Sequence, residues 1–507
     1  MSLLPGLSLS AKRWRCVAGI AVLPLTACAT DALTLAPASP QQPWVIPGVT
    51  GGRAVAVADA NARSPGILVP AVAEDHAPSD AAPPDSGSAR DLPGLIDLAQ
   101  RSNPETREAW ERARQAALEV GLREASFVPQ ISAEIVGGFQ HTPLPIPTSL
   151  IPKGYFLSDT RELIPALTAK WLLFDFGQRT GVERAARANS FVANAAFTGA
   201  HQKVIYAVSR DYFALSAARG RLRVAAQALK NAQIVEDAVE TRRAHGLATI
   251  VERTQARRQT AQARFNLERA TGAEHAALAA LVHSVGVPPG TRIAVADDAD
   301  QPLPRAEAGD VDQFIHDALA NRPDIIAAMG KIRAAEATLD SARARYYPTL
   351  GLEAQVYENI GGLSTQGSQY YSVNEPGAAI LLKLSLPLYD GGVREAGVAL
   401  AQSEIAAAQA ALDQTRDAAA QQVTDAYDAL RTSFAEYSAA LAVNEAARTA
   451  YDAALESYRQ GVGTYTDTVT GATALSQAQS QQADAHANVF TAAAALAFAT
   501  GSIAAAP

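Results

Sequence analysis

The chain has 507 residues, 48% hydrophobic and 19% charged, and a formal net charge of −8. Its first 27 residues hold three basic side chains and no acid, so the remaining 480 carry about −11, which argues against a nucleic-acid partner. No stretch after the N-terminus reaches the roughly 20 apolar residues of a transmembrane helix, so any membrane crossing has to use strands.

The N-terminus reads as an export signal over 1–27. Lys12, Arg13 and Arg15 form a basic region, and the apolar run from Cys16 to Leu25 is too short to span a bilayer. Leu25-Thr26-Ala27-Cys28 resembles a bacterial lipobox. That resemblance implies cleavage before Cys28, a covalent lipid on its thiol, and no other cofactor. Cys16 lies in the removed segment, so no disulfide is expected. Ala29 after the cysteine fits the usual rule for sorting to the outer membrane. Residues 28–90 are rich in Pro, Ala, Asp and Ser without helical periodicity, as in Pro83-Pro84-Asp85-Ser86-Gly87, and are expected to form an extended tether.

From residue 91 the elements come in a set order. A helix is expected over 95–126, followed by two segments of strict alternation. In the first, Ile131, Ala133, Ile135, Gly137 and Phe139 oppose Gln130, Ser132, Glu134 and Gln140. In the second, Leu167, Ala169, Trp171 and Leu173 oppose Thr168 and Lys170. Each run has about ten residues, the span of a tilted transmembrane strand, and a long loop over 141–160 is expected between them. An alanine-rich run without proline then predicts one helix from about 178 to 245, roughly 100 Å long. After Gly246 a return helix runs from about 250 to 283.

A linker over 291–309 is succeeded by the same order again. The second half predicts a helix over 313–345, then strands carrying Leu350, Leu352, Ala354 and Val356, and Ile380, Leu382, Leu384, Leu386 and Leu388, with a loop over 359–375. A long helix over 393–460 comes last, with a return helix after it.

Residue identities support a tandem duplication, with repeats over 91–290 and 310–507. Asp175, Gly177, Arg179, Gly246, Thr249, Glu252 and Gly286 match Asp390, Gly392, Arg394, Gly461, Thr464, Asp467 and Gly501 at a separation of about 215. Upstream, Pro104, Arg114, Phe127 and Pro129 match Pro323, Arg333, Tyr346 and Pro348 at about 219.

Four alternating strands cannot close a barrel, and lipid forbids open edges, so several copies have to share one. Two copies would give about eight strands with a filled interior, whereas three give about twelve and leave a pore. The expected fold is therefore mixed: transmembrane β-structure continuous with long helices.

At the strand-to-helix junctions, Asp175 and Asp390 are placed to cap orphan N–H groups, and Gly177 and Gly392 to ease the turn. Gly246, Gly461 and Gly463 lie in tight turns between antiparallel helices, where φ > 0 is expected. Thr249 and Thr464 fit as N-caps, with Glu252 and Asp467 as capping-box partners. The same acids would also concentrate negative charge at a narrow opening if several copies met there. The chain has no HExxH, Walker loop, CxxC or serine elbow, and its eight histidines are scattered singly. No catalytic residue or metal site is expected.

The junctions Leu173-Phe174-Asp175-Phe176-Gly177-Gln178-Arg179 and Leu388-Tyr389-Asp390-Gly391-Gly392-Val393-Arg394 together resemble the TolC-like outer membrane efflux protein family, specifically its lipidated, multidrug-type branch. So do the strand entries Ala125 to Pro129 and Ala344 to Pro348, and the turns Gly246 to Glu252 and Gly461 to Asp467. The resemblance implies a homotrimer with a twelve-stranded outer membrane barrel and a twelve-helix periplasmic tunnel. It further implies a tip that stays closed until an inner membrane pump and its adaptor dock. Asp467 matches a position associated in the family with an acidic ring, and Thr470 stands where relatives often carry a second acid. The cargo implied is toxic small molecules, drugs or weak organic acids. A protein-secretion duct of the same fold and a non-conducting periplasmic coiled-coil scaffold are the alternatives.

Overall fold

The computed structural model describes residues 32–44, 89–150, 152–296, 301–304, 310–365 and 368–503; the signal over 1–27 and Cys28 lie outside the described residues. In chain order the elements are α1 (Leu92–Ser102), α2 (Pro104–Glu124), β1 (Gln130–Pro145), β2 (Tyr155–Phe174), α3 (Gln178–Ala244) and α4 (Ile250–Val285). The same succession repeats as α5 (Val311–Asn321), α6 (Pro323–Ala344), β3 (Thr349–Thr365), β4 (Tyr371–Ser385), α7 (Val393–Gln460) and α8 (Tyr465–Ala499).

The single helices expected over 95–126 and 313–345 are each broken in two. Proline has no N–H to continue the ladder, and its ring pushes the preceding residue out of the helical region. Asn103, before Pro104, sits at φ −72°, ψ 126°, and Arg322, before Pro323, at φ −68°, ψ 128°. Asn103 turns the break into a fresh start by accepting the Glu105 N–H at 2.8 Å.

Each break packs against a glycine at the end of a return helix. Gly286 has φ 81°, and a Cβ there would stand 2.6 Å from Asn103 Cα. Asn103 Nδ2 donates to Ser284 O at 2.9 Å, while Ser102 Oγ donates to Val285 O at 3.0 Å. In the second half Gly501, at φ 75°, meets Arg322, whose Nη1 donates to Ala499 O at 3.0 Å. Short helices and return helices therefore meet beside the long ones. Leu95, Ile96, Val208, Leu215, Leu281 and Val285 form the buried core at that level.

The 67 residues of α3 and 68 of α7 give rods of about 100 Å. Among the described residues no helix is long and apolar enough to cross a membrane.

The four strands form one antiparallel sheet in the order β1-β2-β3-β4, with β1 and β4 at its edges. Gln130 pairs with Lys170, Lys170 with Glu353, and Thr349 with Ser385. The strands are longer than the ten residues expected, at 16, 20, 17 and 15. They consume most of the predicted loops, leaving 146–154 and 366–370 between strands. Alternation marks only the part of a strand with two different surroundings, whereas backbone pairing continues as long as a partner is present. At one end β4 is shorter than expected: it stops at Ser385, so Leu386 and Leu388, which flank Pro387, fall outside it. The apolar faces are bare in one copy, with Ile135 and Ile380 73% and 77% exposed.

Part of the segment expected as an extended tether is docked. Ala32–Leu35 forms a 3-10 turn, and the chain from there to Trp44 lies against α2 and α3.

Candidate functional site

Functional residues expected from the sequence gather at the two ends of the long helices. At the sheet end, Gly177 and Gly392 are the N-caps of α3 and α7, at φ 98° and 91°. A left-handed residue there lets the chain leave a strand and enter a helix at once. The caps are supplied by the aspartates two residues earlier. Asp175 accepts from the N–H groups of Gly177 at 3.3 Å and Arg179 at 2.9 Å, and Asp390 from those of Gly392 at 3.1 Å and Arg394 at 3.2 Å.

The arginines complete the junction, a role that the repeat pattern does not assign. Arg179 Nε donates to Asp175 Oδ2 at 2.9 Å and its Nη1 to Ser126 O at 2.8 Å, with the guanidinium 4.8 Å from the Phe127 ring centroid. Arg394 repeats this with Asp390 at 2.6 Å and Tyr346 at 5.1 Å. Each arginine thus ties the exit from a strand pair to its entry. The signal is present as Asp-x-x-x-Arg and an aromatic at matched positions in both repeats, but only the fold brings them together. Phe176, at φ 52°, stacks on Tyr347 at 5.3 Å and couples the first junction to the second strand entry.

At the far tip, the α3–α4 turn closes with Leu247 N donating to Arg242 O at 2.8 Å, and the α7–α8 turn with Val462 N donating to Ser457 O at 3.0 Å. Gly246 and Gly461 hold φ 75° and 85° as this motif requires. Gly463 corrects the expectation: its φ is not positive, and it is small for a different reason. A Cβ there would stand 2.9 Å from Ser457 Cβ and 3.0 Å from Tyr458 N.

Both acids are engaged as capping partners. Thr249 Oγ1 accepts the Glu252 N–H at 3.2 Å while Glu252 Oε2 accepts the Thr249 N–H at 2.8 Å. Thr464 Oγ1 accepts the Asp467 N–H at 3.1 Å and donates to Asp467 Oδ2 at 2.6 Å. Neither role consumes the negative charge. Asp467 remains exposed and Glu252 half-buried, while Thr470 is exposed.

The two hairpins are fastened to each other by a pair that the repeat register could not reveal. Arg242, in the last turn of α3, donates from Nη1 to Tyr458 O at 2.8 Å and lies 4.9 Å from the Tyr458 ring centroid. Tyr458 is buried with Val235, Val239, Ala256 and Tyr465. Burial raises its phenol above the ordinary value, Glu252 adds to the rise, and Arg242 opposes it. Around this contact Arg253 pairs with Glu240 at 2.9 Å and Arg459 with Glu456 at 4.0 Å, and Arg243 reaches Glu240 at 3.8 Å. The tip therefore holds mixed charge on its walls. Among the described residues no three His, Cys, Asp or Glu side chains gather as a metal site.

A family model described as "Outer membrane efflux protein" matches residues 95–287 and 314–502. The chain is 31% identical to protein CyaE of Bordetella pertussis over 361 residues, covering 71% of this chain and 73% of that one. It is 26% identical to outer membrane protein OprJ of Pseudomonas aeruginosa over 383 residues, covering 73% and 76%. Among solved structures, the outer membrane protein VceC of Vibrio cholerae superposes with a TM-score of 0.66 at 21% identity, covering 81% of this chain and 96% of that one.

Proposed function

Because the chain belongs to the outer membrane efflux protein family, we propose that three copies share one twelve-stranded barrel in the outer membrane and continue it as a periplasmic helical tunnel. As in its family, the protein is an outer membrane efflux channel and not an enzyme. Transport through it is passive, and an inner membrane pump with a periplasmic adaptor supplies the drive.

The observation that carries the trimer is the four-stranded sheet with two free edges and a bare apolar face. In lipid the unpaired N–H and C=O groups of β1 and β4 would each cost several kcal/mol, so β1 of one copy pairs with β4 of the next. Three sheets close about twelve strands around a water-filled bore, whereas two would close on side chains. At about 3.3 Å per residue the strands reach roughly 50 Å or more, which exceeds the ~25 Å apolar band and carries the barrel beyond the membrane surface.

Threefold symmetry gathers Glu252 and Asp467 around the tip, where their charges favour cations at the entrance, and the Arg242–Tyr458 contact holds the two hairpins of each copy together until the pump and adaptor dock. Cys28 carries the covalent lipid, which assists insertion that the strands themselves make possible. The cargo is toxic small molecules, drugs or weak organic acids, selected by the pump because a wide aqueous bore discriminates weakly.

Detergent-solubilised protein should have the mass of three copies and conduct in a planar bilayer. A stable, non-conducting monomer would overturn the shared barrel and leave the scaffold reading. Metabolic labelling with a radioactive fatty acid should mark the wild type and not Cys28→Ser; an unlabelled wild type refutes lipidation alone.

A further inference from the structure

Residues 32–44 make a chemically one-sided contact with α2 and α3. Four side chains on these helices meet four backbone carbonyls of the segment. Asn194 Nδ2 donates to Leu35 O at 2.7 Å and Trp110 Nε1 to Pro37 O at 2.9 Å. Thr198 Oγ1 donates to Trp44 O at 3.3 Å. His201 Nε2 lies 3.1 Å from Pro40 O, and since a carbonyl only accepts, that nitrogen carries the proton.

Helix donors and segment acceptors match because the segment is Ala36-Pro37-Ala38-Ser39-Pro40-Gln41-Gln42-Pro43-Trp44. Proline has no N–H to satisfy, and it fixes φ before docking, so an extended Pro-rich peptide loses little entropy on entering a groove of donors. Asn194 and His201 are almost fully buried where they meet the segment, and Asn194 Oδ1 and His201 Nδ1 have no protein partner. With the segment lifted these groups would meet water, so a vacant α2–α3 groove presents a polar floor suited to a peptide backbone. Both ends are anchored by shape. Ala32 is buried over Gly121, where a Cβ would come within 2.8 Å of its own, and the Trp44 ring meets Phe191 edge-on at 5.2 Å.

We propose that the α2–α3 groove is a recognition site for proline-rich peptide, with the chain's own 32–44 segment as its resident ligand, and that this docking sets the reach of the N-terminal anchor. Three residues lie between Cys28 and Ala32, and the four steps span at most about 14 Å. With the segment released, the first fixed point would be near Arg90, 62 positions along the chain from Cys28. The anchoring consequence rests on lipidation of Cys28, while recognition of the peptide does not.

The test uses the full chain with residues 33–43 replaced by a Gly/Ser stretch of equal length, in detergent, and a fluorescein-labelled peptide of the sequence Ala32 to Trp44 read by anisotropy. Saturable binding to this variant, with none to the occupied wild type, is expected. Adding Trp110→Phe should weaken binding about fivefold, as the loss of one hydrogen bond predicts. A peptide with alanine at the three prolines should bind more weakly still. No binding to a variant whose helical circular dichroism matches the wild type, or equal binding of a scrambled peptide, would overturn the proposal. If the replaced chain does not fold, hydrogen exchange on the otherwise intact Trp110→Phe protein decides instead: amides of 33–44 should exchange several-fold faster with those of α7 unchanged, and an unchanged segment refutes the site. Neither readout depends on copy number or conductance.

Discussion

Acidification should release the N-terminal segment through one side chain, His201. The imidazole is fully buried, and burial pushes its pKa from 6.5 down to about 4, against a smaller upward pull from the Pro40 carbonyl. With the segment undocked the ring meets water and returns toward 6.5. The released state therefore takes up the proton first, so docking is at full strength above pH 6.5, weakens as pH falls toward 4, and changes no further below that. The drop from 6.5 to about 4 amounts to roughly 3 kcal/mol, or about 300-fold in the docking equilibrium, with about tenfold already lost at pH 5.5. The exposed Lys203–Glu105 pair, 3.1 Å apart and two residues along α3, is the charged neighbour in sequence and is present in both states. Hydrogen exchange of residues 33–44 between pH 7.5 and 4.5, corrected for intrinsic rates, measures the effect. His201→Gln keeps an N–H to offer Pro40 but cannot titrate, so its segment should stay protected across the range. The same pH profile in both proteins, or a flat profile in the wild type, would refute the assignment to His201.

Gly286→Ala combines a strained φ with a Cβ 2.6 Å from Asn103 Cα, and should lower the melting temperature by several degrees, reflecting at least about 2 kcal/mol, whereas Gly290→Ala, with open space around it, should not. Arg242→Met removes a hydrogen bond from a charged donor, worth about 1.5–3 kcal/mol, together with its ring contact, so the two hairpins should part more readily and single-channel conductance should rise; unchanged conductance would count against the contact as a latch. The double variant Glu252→Gln/Asp467→Asn should reduce cation selectivity and weaken block by divalent cations, and if it leaves both untouched the acids are helix caps only.

Much of this protein is written locally. The long helices expected over 178–245 and 393–460 run from Gln178–Ala244 and Val393–Gln460. Alanine supplies the propensity, the Asp-x-Gly-x-Arg junction starts the rod, and the glycine turn stops it, all within a few residues of each boundary. The Thr-x-x-Glu and Thr-x-x-Asp pairs are legible for the same reason, since a cap is a contact across three residues. What stays hidden is non-local or depends on a partner. The strands outrun their alternation because pairing extends as far as a neighbour is present, which no single strand records. Pro104 and Pro323 break their helices into pieces that then lean on Gly286 and Gly501, and only the packed joint shows why those glycines are there. Tyr458 faces Arg242 across 216 residues, and the carbonyls of 35–40 find donors 73 to 161 residues away. Caps and turns are determined by the sequence alone because their partners are neighbours on the chain; the hairpin contact and the docked segment exist only when folding pays the entropy of bringing distant residues together.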